Sequence, residues 1–136
     1  PYSKTKETTK QHFPLYERAR VIVEKVFGPD HPDTANSVNN LALLLKLQGN
    51  YRAALPLYER ALAIREKVLG SDHPDTAVSL NNLARLLQDR GEYLDAFHFM
   101  DRAILILESK LGPNHPYTQS SRKSMQLIEE AIARQQ

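Results

Sequence analysis

The 136-residue chain contains no cysteine. That removes disulfide frameworks, thiolate nucleophiles and Cys-ligated zinc from consideration. It agrees with a reducing cytoplasmic compartment, which is the expected location. Long apolar runs are missing as well. No stretch reaches the roughly 18 residues of a membrane-spanning helix and none reads as a signal peptide, so no membrane partner is expected. Charge of one sign is not in excess: eighteen basic side chains face sixteen acidic ones, a formal +2. That balance gives no argument for a nucleic-acid partner, which would call for a basic surface and steep salt dependence. Catalytic signatures are absent too, with no HExxH, GxxxxGK[ST], GxGxxG or GxSxG. What is present suffices for a core, since 41% of residues are apolar and 25% charged. The first residue is Pro1 rather than Met, so a piece of a longer protein is the expectation.

Glycine is scarce and evenly spaced. The five glycines stand at 28, 49, 70, 91 and 112, each 21 residues after the last. Other strings recur at twice that step. HPDT begins at His31 and His73, and HPYT at His115. Leu15 to Ala19 reads Leu-Tyr-Glu-Arg-Ala, as does Leu57 to Ala61, and Phe99 to Ala103 is a variant of it. Asn-Asn-Leu-Ala covers Asn39 to Ala42 and Asn81 to Ala84. A fixed period of this length is the mark of stacked structural units rather than one closed core.

The segments between glycines have helical periodicity. Val38, Leu41, Ala42 and Leu45 fall at i, i+3, i+4 and i+7, as do Leu80, Leu83, Ala84 and Leu87. The glycines fall where helices must stop, because a C-terminal cap commonly needs positive φ. The prolines of the Gly-Pro-Asp-His-Pro and Gly-Ser-Asp-His-Pro loops add further breaks. Asp33 and Asp75 are expected to cap the helices that follow. The spacing predicts six helices and no strands. Residues 1–7 are expected to be disordered or extended and 8–27 a lone second helix. Residues 34–69 and 76–111 form two complete hairpins, and 118–134 is a lone first helix. Pro14 and Pro56 fall inside predicted helices, and a slight bend is expected at Pro56.

These residues resemble the tetratricopeptide repeat, whose pattern is Leu-Gly-x2-Tyr, then Ala-x3-Phe, over 34 residues. One copy reads Val38, Leu41, Ala42, Leu45, Gly49, Tyr51, Ala54, Tyr58 and Ala61, and the next Leu80 to Leu87, Gly91, Tyr93, Ala96, Met100 and Ala103. The 42-residue period is about two helical turns longer than that pattern. This longer form is similar to the repeats of kinesin light chain and of nephrocystin-type proteins. HEAT and armadillo units have comparable lengths but lack the glycine–tyrosine hairpin turn. The resemblance implies an all-α fold, a right-handed solenoid of antiparallel helical hairpins. It implies no enzymatic activity and no cofactor, and a protein or peptide partner held in a concave groove lined by the first helices.

Carried over residue by residue, the family's groove positions are Asn36, Asn39, Asn40, Leu43, Lys46 and Leu47 in the first complete repeat. In the second they are Val78, Asn81, Asn82, Arg85, Gln88 and Asp89, and in the last helix Ser120, Lys123, Ser124, Leu127 and Glu130. A carboxamide offers two donors and an acceptor, so a repeated Asn can grip peptide main chain, and Asn40 and Asn82 are favoured for that role. The alternative is that one Asn of each pair bonds a loop or the neighbouring helix. Only Lys46, Arg85 and Lys123 bring positive charge, while Asp89 and Glu130 oppose it, so a clamp for a C-terminal carboxylate is not expected. The three loop histidines sit one repeat apart, too far to share a zinc ion whose ligands lie about 2 Å from it. They are expected to stabilise their loops, and no metal is expected.

The chain could also act as a spacer or self-associate. Its first helix lacks a hairpin partner and carries Phe13, Tyr16 and Ile22, so it should pack on a missing upstream helix or on another copy. Arg122 and Gln126 replace Leu80 and Ala84 in the last helix, which reads as a cap, with the array expected to end near Gln136.

Overall fold

The computed structural model describes residues 2–135, with side chains from residue 11 onward. Among them are six α-helices and no strand: α1 Tyr2–Phe27, α2 Pro32–Leu47, α3 Tyr51–Leu69, α4 Pro74–Asp89, α5 Tyr93–Leu111 and α6 Pro116–Gln135. The chain divides after Val68 into two compact units. The first holds α1, α2 and nearly all of α3, and the second holds α4, α5 and α6.

Each unit is built on stripes of small and aliphatic side chains. In the first, Ala35, Val38, Leu41 and Ala42 of α2 are buried, as are Ala54, Tyr58, Ala61 and Ile64 of α3. In the second, Ala77, Leu80, Ala84 and Leu87 of α4 and Ala96, Met100, Ala103 and Leu107 of α5 are buried. α5 packs against both α4 and α6, and α6 contributes Met125, Ile128 and Ala131. Alanines at the contact let helix axes approach closely, and each fully buried Leu or Met contributes about 1.5–3 kcal/mol.

The turns follow from backbone chemistry. At the α2 end, Gly49 takes φ 81°, its N–H donates to Lys46 O at 2.9 Å, and Asn50 N–H reaches Leu45 O at 2.8 Å. This pair of bonds satisfies carbonyls that the helix leaves open, and it requires a left-handed residue. Gly91 and Glu92 repeat it at the end of α4.

The starts of α2, α4 and α6 differ from expectation in one respect. These helices begin at Pro32, Pro74 and Pro116, two residues early, and the caps are histidines rather than Asp33 and Asp75. Nδ1 of His31 accepts Asp33 N–H at 3.0 Å, Nδ1 of His73 accepts Asp75 N–H at 3.0 Å, and Nδ1 of His115 accepts Tyr117 N–H at 3.1 Å. Proline at the first helical position has no N–H to satisfy, so the first donor needing a partner belongs to the residue after it. An acceptor two residues before that donor meets the need, and the aspartates are left to favour the positive helix end. The loop histidines are thus loop-stabilising groups. Thr34 Oγ1 and Thr76 Oγ1 then tie these loops back by donating to Gly28 O and Gly70 O at 2.6 and 2.8 Å.

α1 begins at Tyr2, where an extended segment is expected over 1–7. No glycine or proline interrupts the sequence from Tyr2 until Pro14, so nothing stops the helix from extending toward the N-terminus. Pro1 lies outside the described residues. α1 and α3 continue through Pro14 and Pro56.

Candidate interaction groove

In the second unit α4 and α6 lie side by side in front of α5. Between them opens a cavity of about 330 Å³ lined by Val78, Asn81 and Arg85 of α4, Leu107 of α5, and Tyr117, Ser120 and Ser121 of α6. The α4 residues stand at i, i+3 and i+7, one face of the helix. Val78 and Leu107 make an apolar floor. Ser121 Oγ donates to Asn81 Oδ1 at 3.0 Å, which leaves that amide's N–H donors for a ligand. Arg85 is exposed at one side, and exposed Tyr117 meets the His115 ring edge-on at 4.9 Å. Such a volume is at the small end for ligand sites and suits one or two side chains rather than a cofactor.

The first unit carries a different pair at the equivalents of the two floor residues. Asn36 stands where Val78 does and Arg65 where Leu107 does, one period earlier. Arg65 is buried, and its guanidinium donates to Asn36 Oδ1 at 2.8 Å. A hydrogen-bonded pair therefore occupies the position that is an apolar floor in the second unit. Along α2, Asn40, Leu43 and Leu47 are exposed and Lys46 is half-buried.

Of the expected groove residues, the cavity gathers Val78, Asn81, Arg85 and Ser120. Asn82 and Gln88 are half-buried and Asp89 is exposed, all outside its lining. Asn39, Lys46, Asn82 and Asp89 all have partners within the protein. Asn81 of the Asn81–Asn82 pair bonds the neighbouring helix and lines the cavity. Lys123 belongs instead to a shallower polar hollow on α6 with Pro116, Gln119, Ser120, Arg122 and Gln126, and Leu127 is exposed. Three lining residues were not anticipated. Tyr117 had a visible signal, since it replaces Asp33 and Asp75 in the repeated loop string. Leu107 and Ser121 had none, because their periodicity marks them only as inward-facing.

Among the described residues no cluster of three or more His, Asp or Glu side chains is placed to hold a metal ion. No described helix is long and apolar enough to cross a membrane.

A family model for the tetratricopeptide repeat matches residues 13–67 and 36–104. The chain belongs to the tetratricopeptide-repeat family. Among solved structures it is similar to the nearly identical TPR-like repeats assigned to a kinesin light chain of Podosopora anserina. That likeness has a TM-score of 0.86 and 25% identity, covering 97% of this chain and 64% of that one. It is also similar in fold to BtubC (BKLC) from P. vanneervenii, at a TM-score of 0.85 and 21% identity, over 93% of this chain and 51% of that one. The chain thus spans between half and two thirds of the structures it matches. Comparison with curated protein sequences finds no match. The fold class is that of these TPR repeats: all-α, six helices, paired as hairpins. Repeats of this family serve in general as scaffolds for protein–protein interaction.

Proposed function

We propose that the chain is a non-catalytic protein-binding module that holds an extended peptide or a helix along its first helices. The observation that carries this reading is the cavity between α4 and α6, which joins an apolar floor to amide, hydroxyl and guanidinium donors. In it Val78 and Leu107 receive an apolar side chain, and Arg85 pairs with an acidic one. Asn40, exposed on α2, grips peptide main chain with its carboxamide, and Asn81 adds the amide N–H donors that Ser121 leaves open. The ligand is an internal segment rather than a free C-terminus, because Asp89 and Glu130 oppose a terminal carboxylate.

The test starts from a peptide array screened against the chain, followed by anisotropy titration of the best binder. Replacing Asn40 and Asn81 together by Ala removes about one net hydrogen bond to the peptide each. The expected loss is about 2 kcal/mol, roughly 30-fold in Kd, with the thermal melt retained. Unchanged affinity in that double variant refutes the groove assignment.

A second reading, a spacer or self-association module, draws on one observation: the first helix exposes large apolar side chains.

A further inference from the structure

We propose that the start of α6 is an acid-sensitive joint, held at neutral pH by His115 and released when that ring takes up a proton, which loosens the α6 wall of the groove. The loosening of the helix stands on the loop geometry alone. Its effect on a ligand rests on the groove reading above.

The loops that start α2, α4 and α6 share a plan but not the same reserves. In the first, His31 Nδ1 accepts the Asp33 N–H at 3.0 Å, Thr34 Oγ1 donates to Gly28 O at 2.6 Å, and Asp33 places a carboxylate in the first turn. In the second, His73, Thr76 and Asp75 do the same. The third keeps only the histidine. His115 Nδ1 accepts the Tyr117 N–H at 3.1 Å, but the buried Thr118 Oγ1 has no partner, and the first turn of α6 holds no acidic residue.

Protonation therefore acts differently on the three. Imidazolium is a donor at both nitrogens, so a ring that accepts at Nδ1 gains its second proton there and loses the bond. It also sets a positive charge at the positive end of a helix. In the first two loops a carboxylate answers that charge, with Asp33 Oδ2 and Asp75 Oδ2 each 3.9 Å from the histidine Nδ1. At the third, Tyr117 stands where those aspartates are, and its ring meets His115 edge-on at 4.9 Å. The other charged groups on the elements packed against this loop give no substitute. Glu108 of α5 is held by Arg122 of α6, Lys110 of α5 is a cation, and Asp75 of α4 sits beside His73.

Histidine gains its charge between about pH 8 and 5, so the first turn of α6 frays over that interval while those of α2 and α4 hold. The cap is present at neutral pH and is lost as pH falls. The change reaches the groove because Tyr117, Ser120 and Ser121, three of its lining residues, lie within the first two turns of α6.

The experiment follows the isotope-labelled chain by NMR from about pH 7.5 to about 5.5. The expected result is that backbone signals of residues 116–121 move toward coil values, while those of 32–37 and 74–79 stay helical. His115→Asn, whose Oδ1 accepts the same N–H and does not titrate, keeps residues 116–121 helical throughout. The best array peptide, chosen without histidine, then binds the parent chain at least about threefold more weakly at the lower pH and binds His115→Asn equally at both. Equal loss at all three helix starts overturns the proposal, as do unchanged signals at 116–121 and fraying that persists in His115→Asn. A peptide that keeps its affinity while α6 frays overturns the link to the groove. Failure of every array peptide to bind sinks the groove reading instead, and the NMR result still decides the joint.

Discussion

Replacing His73 by alanine isolates the capping chemistry of the repeat loops. His73 Nδ1 accepts the Asp75 N–H at 3.0 Å, and its side chain is 40% exposed. Loss of a helix N-cap costs about 0.5–2 kcal/mol, and the partial exposure places this one near 1 kcal/mol. His31 is a less clean choice, because its ring also stacks on Phe27 at 4.5 Å and its removal takes packing with it. For a chain of this length 1 kcal/mol corresponds to about 3–4 °C in Tm. The three histidines sit in separate loops and share no partner, so replacing all three by Ala lowers stability by about 3 kcal/mol. That is a large share of the 5–15 kcal/mol typical of a folded domain. The assay is thermal and urea unfolding followed by far-ultraviolet circular dichroism at neutral pH. The decisive comparison is His73→Asn, whose Oδ1 accepts the same N–H. It should melt close to the parent. If His73→Asn falls as far as His73→Ala, acceptance by Nδ1 is not what the residue contributes.

Two further outcomes can be read in the same way. Thr76 donates its hydroxyl to Gly70 O, whereas the equivalent Thr118 Oγ1 is buried without a partner, so Thr76→Val costs about 1 kcal/mol while Thr118→Val is neutral or stabilising in urea melts. Arg85→Leu leaves stability unchanged and weakens acidic peptides by no more than about 1 kcal/mol, and it also flattens their salt dependence, which titrations at two ionic strengths will show.

The helical hairpins were legible because their determinants are local and repeated. Gly49 and Gly91 announce turns that need positive φ, and Leu80, Leu83, Ala84 and Leu87 announce the buried stripe. The caps were misread for a physical reason. Aspartate is the commoner capping residue, but Pro32 and Pro74 move the first needy N–H onto the aspartates themselves, and the acceptor must then lie before the proline. Within the groove the sequence identified Asn81 and Arg85 but not their company. Tyr117, Ser121 and Leu107 come from two other helices, and only packing brings them to the cavity. Which Asn of a pair faces outward depends on helix rotation by 100°, which a repeated Asn-Asn dipeptide does not encode.

The loops and the groove differ in how much the fold constrains them. A residue at positive φ and an acceptor before a helix-initiating proline have few chemical solutions, and the chain uses the same ones each time. The pair of positions behind the groove has at least two, Asn36 with Arg65 and Val78 with Leu107. Either is self-consistent, and a mixture is not. Asn36→Val leaves the buried Arg65 guanidinium short of one acceptor, which costs about 1.5–3 kcal/mol. Arg65→Leu costs less, since the exposed Asn36 amide regains water. The double variant Asn36→Val/Arg65→Leu reproduces the apolar pair of the second unit and should recover most of the loss from Asn36→Val. A double-mutant cycle in urea then reads a coupling of about 1–3 kcal/mol. Simple additivity would mean that Arg65 is held by its other contacts, and that the polar pair in one unit and the cavity floor in the other are unrelated choices.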